Sequence, residues 1–578
     1  MKTLVRVLGV IALAAVSLSG ARAVAQPAGN EHPQTAMLSS EGKSNPFGAP
    51  ATSPAMTIDA KRDFAAKVDL SPLRDLGVYH NGRIKILDTL ARETVSTIAN
   101  RKDYYDIRPD PENPDKATRV KYDPLFTFLD LVIDPAYYHD KPLLGVNYLP
   151  LREELISREY TTREQVEYWK RVARVSPRII ERHIQAVAGG QNLAEPFRKA
   201  LSDLNEAMGL YLGSAGNLMM AASDAPDKPW AHLSTLPADH PVSKAAAKLG
   251  VAWRAGDADG VNGAVRTLAE ELPKINGAMY PTTRRTLERV YNASNAFEWG
   301  MWLYAASLVS LLLAFGTGRR WLRAAGVGLL SAAVAMHLLG FGLRCIIAER
   351  YSIQNQFESM TGVSLFAAIV GIVLALGRRQ LIFATAAAGV GFLILVTATQ
   401  TGIPGSTIQR EAAILNTSVL LKYHVTIVLF SYGLISLGFI TSLFYLFAHY
   451  FRQSGAPEAL AGQALGVGSP AGGKARVLAD LDRAQMTILQ LAFWTLGVGI
   501  LLGAWWADHS WGRWWAFDPK ELWALVTWIV YLIVIHVRLA GIKDRGLTTA
   551  WLSIVGFFTM LWCYFGVNLL LPGLHAYA

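Results

Sequence analysis

The sequence predicts a polytopic, all-α membrane protein of about eight transmembrane helices, with an N-terminal, mostly helical extracytoplasmic domain. Of its 578 residues, 52% are hydrophobic and 17% are charged, whereas a charged fraction of about 25% is usual in soluble domains. The second half of the chain contains eight apolar stretches of membrane-spanning length. The first half has nearly balanced charge and amphipathic helical patterns. This composition excludes a disordered chain and a simple soluble globular protein.

Residues 1–25 have the pattern of a secretory signal peptide. Lys2 and Arg6 precede an apolar run over Val7–Leu18, and the small residues that follow offer a cleavage site. An uncleaved anchor helix is the alternative, and both interpretations place the following residues outside the cytoplasm. Residues 26–60 are rich in Pro, Ser, Ala and Gly, which predicts a disordered linker.

Residues 61–297 are expected to form the extracytoplasmic soluble domain. Stretches such as Arg163–Ala188 and Ala194–Leu212 combine helical spacing of apolar residues with charged faces. Short β-favouring stretches and Pro-rich loops lie between Leu76 and Leu151. A segment of roughly 235 residues can bury a core of its own. It contains no catalytic motif that we recognise.

Residues 298–578 are expected to form a transmembrane domain. The apolar stretches cover approximately residues 299–316, 322–347, 361–377, 380–399, 422–449, 484–505, 521–541 and 548–571. Because every backbone polar group must be satisfied inside a bilayer, we expect each stretch to be a helix.

Positive charge in this half falls mainly on one set of connections. Residues 299–578 contain 18 Lys and Arg against 10 Asp and Glu. With the soluble domain outside, twelve of these positive charges lie on cytoplasmic connections. The six on outer connections are Arg344, Arg350, Arg410, Lys422, Arg513 and Lys520. The positive-inside rule therefore agrees with an exported N-terminus. The excess positive charge is explained by the orientation of the chain in a membrane, and it argues against a nucleic-acid-binding surface.

The chain has two cysteines, Cys345 and Cys563, which are far apart in apolar sequence. This number and spacing exclude a disulfide scaffold, a CxxC redox site and a cysteine-ligated zinc site.

Residues 505–528, with the sequence WWADHSWGRWWAFDPKELWALVTW, are the most distinctive segment. Seven of the 16 tryptophans lie there: Trp505, Trp506, Trp511, Trp514, Trp515, Trp523 and Trp528. Trp favours membrane interfaces, so an aromatic belt is the alternative interpretation. A belt does not account for the interleaved Gly512, Asp518, Pro519 and Glu521. We interpret the segment as an apolar platform at the outer surface, suited to a large planar aromatic ligand.

Two histidines are predicted to lie at the same level as this platform. His424 opens the fifth apolar stretch and His575 follows the eighth, both at outer ends. An iron porphyrin needs axial nitrogen ligands and apolar contacts with its ring, and these elements together would supply both. Taken singly, each histidine is better explained as an interfacial side chain with a hydrogen-bond partner. His509, within the loop, is expected to be solvated.

His536 lies fifteen residues after Glu521, which places it about 22 Å deeper at 1.5 Å per residue. An ionisable residue in a membrane span is a functional candidate, and His536 is a candidate ligand of an inner haem site, its partner ligand coming from another chain. The alternative is a histidine near the inner headgroups. His337 is expected to pack within the bundle and His449 to be interfacial. Residues 349–360 are expected to form a hydrated loop, with lining of the outer vestibule as the alternative.

Residues 511–523, WGRWWAFDPKELW, resemble the motif of the CcsA type of system II cytochrome c synthases, a family of haem-handling proteins with a tryptophan-rich WWD domain. That family also has histidines at positions matching His424, His536 and His575, and a loop similar to Gln354–Ser359. The resemblance covers most of residues 300–578. Phe517 departs from the pattern, since a Trp often precedes the Asp. More weakly, residues 81–93 are similar to an extracytoplasmic domain of some bacterial members.

The resemblance implies a function in cytochrome c maturation. It implies that His424 and His575 are axial ligands of haem b, and that the ring is held by Trp505, Trp506, Trp511, Trp514, Trp515, Phe517, Asp518 and Trp523. The chain would then act as a haem lyase that attaches haem by thioether bonds to the CxxCH motif of apocytochrome c. The implied partners are a CcsB/ResB-type membrane subunit and thiol-reducing proteins, in the bacterial cytoplasmic membrane. The alternatives are a haem transporter or chaperone without ligase activity, and an assembly subunit of a membrane redox complex.

Overall fold

The chain has the mostly helical, polytopic architecture that the sequence predicts. The computed structural model describes residues 44–52, 56–108, 118–189, 193–225, 228–378, 380–403, 405–409, 418–451, 474–537, 540, 542, 544–571 and 573. The chain divides into two compact units, with the boundary after Asn292. The predicted signal peptide lies outside the described residues.

The N-terminal unit is built of helices with three antiparallel strand pairs in its described part. The helices are α1 Ile58–Lys67, α2 Ser71–Arg74, α3 Leu87–Ala99, α4 Pro124–Ile133, α5 Ala136–His139, α6 Leu149–Glu159, α7 Arg163–Val172, α8 Pro177–Ala188, α9 Glu195–Gly213, α10 Pro241–Ala255, α11 Ala258–Glu271 and α12 Thr282–Ser294. The strand pairs are β1 Gly77–His80 with β2 Arg83–Ile86, β3 Tyr105–Arg108 with β4 Thr118–Lys121, and β5 Leu144–Gly145 with β6 Arg174–Val175. Five of these strands lie in the region where the sequence has β-favouring stretches.

A buried ion pair lies inside the core of this unit. The Lys61 ammonium donates to Asp130 at 2.6 Å and to Asp134 at 3.0 Å, and all three side chains are almost completely buried. The Trp253 indole N–H donates to the other oxygen of Asp130 at 2.9 Å. Because a buried charge is costly unless it is paired, this network fixes how α1 packs on α4. Within the predicted linker, Phe47 is also buried in this core.

Residues 81–93 form a hairpin turn, a strand and the start of a helix. Asn81 and Gly82 both have positive φ, at 50° and 75°, as a two-residue hairpin turn between β1 and β2 requires. The Lys85 ammonium donates to Glu93 on α3 and to Nδ1 of His80 at 3.2 Å. Burial, with the positive charge of Lys85 next in importance, lowers the pKa of His80 to about 3.

Eight helices among the described residues are long and apolar enough to cross a membrane. The spanning helices are α13 Ala296–Thr317, α14 Arg320–Ala348, α15 Gln356–Arg378, α16 Leu381–Gln400, α17 Val419–Phe451, α18 Lys474–Trp511, α19 Pro519–His536 and α20 Arg545–Leu561. A π-helical turn at Trp562–Gly566 continues α20 into α21, Val567–Leu570. Each matches a predicted stretch, although α19 ends at His536, five residues before the predicted end.

Small residues let these helices approach closely, as is common within membranes. A Cβ on Gly371 of α15 would lie 2.5 Å from that of Ala387 on α16. A Cβ on Gly391 of α16 would lie 2.7 Å from the ring of Tyr304 on α13. These two glycines therefore set the spacing of three neighbouring helices.

Candidate functional site

His424 lies in a groove between α17 and α18 that two glycines create. Its Nδ1 lies 2.8 Å from the carbonyl oxygen of Gly499. A Cβ on Gly503, one turn further along α18, would lie 2.5 Å from Cε1 of the imidazole. Since a carbonyl only accepts hydrogen bonds, Nδ1 carries the proton and Nε2 carries the lone pair in the neutral ring. This is the arrangement that metal-binding histidines use, with the non-ligating nitrogen held by a backbone carbonyl.

The Trp-rich loop is held by the helix that follows it. Asp518 is the N-cap of α19, and Pro519 occupies the first helical position, where its missing N–H costs nothing. Glu521 completes a capping box, with its Oε2 accepting from the backbone N–H of Asp518 at 3.3 Å and of Ala516 at 2.9 Å. Asp518 and Glu521, which are interleaved with the tryptophans in the sequence, therefore make hydrogen bonds that stabilise the loop itself.

The aromatic residues of the predicted platform divide into exposed and packed groups. Trp505, Trp514 and Phe517 are 47%, 56% and 74% exposed. Trp506 is buried, meets Trp511 edge to face with ring centroids 4.8 Å apart, and its indole N–H has no hydrogen-bond partner among the described residues. Exposed apolar side chains of this size are typical of a ligand site or a membrane interface.

The remaining platform residues pack against neighbours. Trp515 meets Phe517 edge to face at 6.3 Å, and Trp523 meets Trp562 of the π-helical turn at 5.8 Å. Phe517 has a positive φ of 56°, a conformation that is strained for a bulky residue. Because strained backbone conformations cluster at functional sites, the conformation of Phe517 makes it a candidate functional residue of the loop.

The end of the last membrane helix is fixed beside this loop. Lys520 on α19 donates to the Asn568 amide oxygen on α21 at 2.5 Å. The Tyr564 hydroxyl contacts Ser359 on α15 and donates to the carbonyl oxygen of Gln356 at 3.3 Å. A Cβ on Gly573 would lie 2.7 Å from the Asp518 carboxylate. His575, two residues later, lies outside the described residues, so its distance from His424 stays untested.

A buried charge cluster at the same end of the bundle is a feature that sequence reasoning missed. Glu358 accepts from Arg344 at 3.0 Å and from Arg350 at 2.7 Å, and all three side chains are almost completely buried. Arg344 also donates to the carbonyl oxygens of Gly405, Ser406 and Thr407. The expectation of a hydrated loop over residues 349–360 is wrong, because this ion-pair cluster buries much of it. The sequence does contain an indication of it: Arg344 lies near the outer end of the apolar stretch 322–347, where a charge requires a partner.

The other histidines have separate surroundings. His536 is exposed in the last turn of α19, and its Nδ1 lies 2.8 Å from the Leu532 carbonyl oxygen of the same helix. His337 is buried, with Nδ1 3.3 Å from the Tyr304 hydroxyl, which confirms the prediction of a packing histidine. His509 is exposed, as expected. No group of three or more His, Cys, Asp or Glu that could hold a metal ion occurs in the described part of the chain.

Comparison with known proteins identifies relatives of the membrane unit. A family model described as "Cytochrome C assembly protein" matches residues 353–575. "Cytochrome c biogenesis protein CcsA" of Trieres chinensis is 31% identical over 309 residues, which cover 50% of this chain and 97% of that protein. Proteins of the same name from Panax ginseng and Synechococcus sp. (strain RCC307) are 45% and 36% identical over 104 and 171 residues. These two alignments cover 18% and 27% of this chain, and 32% and 53% of the relatives.

Proposed function

The chain belongs to the CcsA family of cytochrome c biogenesis proteins, and from this premise we propose that it presents haem b at the extracytoplasmic face and promotes its covalent attachment to apocytochrome c. Membership of this family gives the chain a role in cytochrome c biogenesis, and its helices are those of a multi-pass membrane protein. The site, the reaction, the side of the membrane and the partners are parts of the proposal.

The observation that carries the proposal is the environment of the His424 imidazole. Its imidazole is held by Gly499 and Gly503, with the ligating nitrogen set by the hydrogen bond from Nδ1. Two residues beyond Gly503, Trp505 begins the segment whose exposed aromatic rings could contact a planar ligand. This donor set fits haem, which requires an imidazole nitrogen at iron and apolar contacts on the ring.

In this proposal, His424 and His575 bind the haem iron of the substrate, and the aromatic residues of the loop hold the ring. Gly573, the last described residue, lies against Asp518 of the loop. The vinyl groups would face apocytochrome c. Each cysteine sulfur of its CxxCH motif then bonds to one vinyl carbon, while the thiol proton passes to the other vinyl carbon. This addition consumes no oxidant or reductant.

The reaction requires reduced cysteines with thiolate character on apocytochrome c. Of the two cysteines in this chain, Cys563 is completely buried and Cys345 is partly buried. We therefore assign the reduction of the substrate to separate thiol-reducing proteins.

A CcsB/ResB-type subunit is the proposed membrane partner, and the bacterial cytoplasmic membrane is the proposed location. The exposure of His536 supports an inner haem site whose second ligand comes from that subunit. The excess of positive charge on one set of connections supports an extracytoplasmic position for the Trp-rich loop. The proposed domains are a signal peptide over 1–25, a linker over 26–60, a soluble domain over 61–297 and the transmembrane domain over 298–578.

Reconstitution tests the proposal. The chain and a CcsB/ResB-type subunit are expressed with an apocytochrome c in cells that lack other maturation systems, and covalent cytochrome is measured by haem staining of denaturing gels. We expect covalent product, and its loss in His424→Gly and His575→Gly. His509→Gly is the matched control, since His509 lies in the last turn of α18, next to the Trp-rich loop, and is exposed. Bound haem without covalent product would favour a transporter, and unchanged haem spectra in both glycine variants would refute the assignment of the ligands.

A further inference from the structure

Three arginines of the N-terminal unit surround the side chain of Tyr105 on β3. The guanidinium carbon of Arg174 on β6 lies 4.0 Å from the centroid of the Tyr105 ring. The guanidinium carbons of Arg119 on β4 and of Arg101, between α3 and β3, lie 5.1 Å and 5.9 Å from the same centroid. A cation–π contact stabilises each guanidinium singly. Three like charges around one ring also repel one another, so the cluster gains stability from any negative charge that joins it.

Arg174 is the buried member of this cluster. It is 1% exposed, and its Nη1 donates to the Tyr105 carbonyl oxygen at 3.3 Å. Its Nε and Nη2 are buried and have no hydrogen-bond partner among the described residues. Burial lowers the pKa of Arg174, and the positive charge of Arg101 lowers it further. Because a buried charge is costly unless it is paired, the positive charge of Arg174 is poorly compensated by the chain itself.

The three arginines form no ion pair with a carboxylate in the part of the chain that the structure describes. The two acids on the same stretch of chain are engaged with other groups. Asp103 pairs with Lys121 at 2.7 Å. Asp106 accepts from the Tyr104 hydroxyl at 2.6 Å and from Lys141 at 3.2 Å. Since the first half of the chain has nearly balanced charge, the positive excess around Tyr105 is local.

The side chains of Arg101 and Arg119 bring this charge to the surface, because both are exposed, whereas Tyr105 is half-buried. Guanidinium groups bind phosphate oxygens through paired N–H donors. A phosphate group on an ester carries a charge of about −1.5 to −2 and has three strong acceptor oxygens. A carboxylate carries one charge on two oxygens, so it would leave more of the positive charge of the three arginines uncompensated.

We propose that Arg101 and Arg119 form a binding site for a phosphate group, with Arg174 and Tyr105 as its support. The two exposed guanidinium groups donate to the phosphate oxygens. Arg174 does not contact the ligand and adds its charge through the interior of the unit, where the dielectric constant is low. Free phosphate esters and the headgroups of anionic lipids both carry this chemical group. The site lies in the N-terminal unit, to which the proposed function assigns no ligand, and it does not depend on haem.

Arginine modification in the full-length chain tests this site and distinguishes the two sources of phosphate. Phenylglyoxal modifies exposed arginines, and mass spectrometry follows its reaction with Arg101 and Arg119. In a phosphate-free detergent, inorganic phosphate at about nine times its Kd leaves about one site in ten free, so both reactions should slow about tenfold. The ionic strength is held constant. Arg62 is the control, since it is exposed and pairs with Asp59 and Asp63, and its reaction should not change.

The second arm compares nanodiscs of phosphatidylcholine with nanodiscs that also contain phosphatidylglycerol, without free phosphate. Slower modification of Arg101 and Arg119 in the phosphatidylglycerol nanodiscs alone would identify a lipid headgroup as the ligand. Protection by inorganic phosphate would identify a free phosphate ester. The absence of protection in both arms would overturn the proposal.

A variant without the two exposed charges gives a further measurement. Arg101→Gln combined with Arg119→Gln is compared with wild type and with Arg62→Gln, which has lost an exposed arginine elsewhere. The probe is the phosphate source that gives protection: calorimetry measures inorganic phosphate, and a lipid phosphate assay measures retained phosphatidylglycerol. We expect binding about tenfold weaker in the double variant only, with an unchanged thermal midpoint. Binding as strong as in wild type would overturn the proposal.

Discussion

The substitution Gly503→Ala tests whether the groove around His424 is what makes this histidine a haem ligand. The new Cβ would lie 2.5 Å from Cε1, 2.8 Å from Nδ1 and 3.1 Å from Nε2 of the imidazole. To reach an ordinary contact of 3.4 Å, the ring must move by about 0.9 Å. Such a shift lengthens the 2.8 Å bond from Nδ1 to the Gly499 carbonyl beyond hydrogen-bonding range.

The expected cost is that of the lost hydrogen bond and of overpacking. A neutral hydrogen bond contributes about 1 kcal/mol, and inserting a methyl group into a packed interior costs about 1–3 kcal/mol. If half of this total falls on the haem-bound state, affinity for haem declines about tenfold, since 1.4 kcal/mol corresponds to a factor of ten. We therefore expect a Kd about ten times higher and a changed Soret spectrum.

Haem titration of the purified complex, followed by absorbance, measures this effect. Gly328→Ala on α14 is the control, because a Cβ there would meet no atom within 4 Å. In a His424→Gly background, Gly503→Ala should have no further effect on haem binding, since the two residues then no longer act on each other. Wild-type affinity and an unchanged spectrum in the single Gly503→Ala variant would refute the reasoning.

Three further predictions concern the parts that support the site and the N-terminal unit. Arg344→Met should destabilise the membrane unit by about 3–5 kcal/mol, because Glu358 loses one of its two buried cations. Thermal unfolding in detergent measures this effect, and Arg513→Met, at an exposed position, is the control. An unchanged unfolding midpoint in Arg344→Met would contradict the prediction. Asp518→Ala should lower the stability of the first turn of α19 by about 1 kcal/mol, because the helix loses its N-cap. The measurement is hydrogen exchange, which should become faster at the amides of residues 520–522. Exchange at wild-type rates would show that the cap is dispensable. The pKa of His80 lies near 3 in the folded state, below its unfolded value of 6.5, so the unfolded state binds a proton first as the pH falls. The stability of the N-terminal unit should therefore decline from about pH 6.5 to pH 5, measured by limited proteolysis of the full chain, and His80→Asn should flatten that decline; an identical slope in both proteins would rule out His80 as the cause.

Much of the membrane unit could be predicted because its signals are local. The length of an apolar stretch predicts a spanning helix by itself, since a bilayer leaves no other way to satisfy the backbone. The sequence Asp518-Pro519-Lys520-Glu521 likewise encodes a helix start, and the structure places the N-cap of α19 at Asp518. The exposure of His509 and the burial of His337 were both predicted, although His509 lies in the last turn of α18 and not in a loop.

The rest depends on which residues meet across the bundle, and sequence spacing does not contain that information. Arg344 donates hydrogen bonds to carbonyl groups more than sixty positions away in the chain. His424 is hydrogen-bonded to the carbonyl oxygen of Gly499, seventy-five positions away. The sequence by itself determined where the membrane helices lie and that an aromatic loop with histidines accompanies them. Only the tertiary structure decided which polar groups are buried and paired, because the cost of burying a charge or a hydroxyl is set by its neighbours in space.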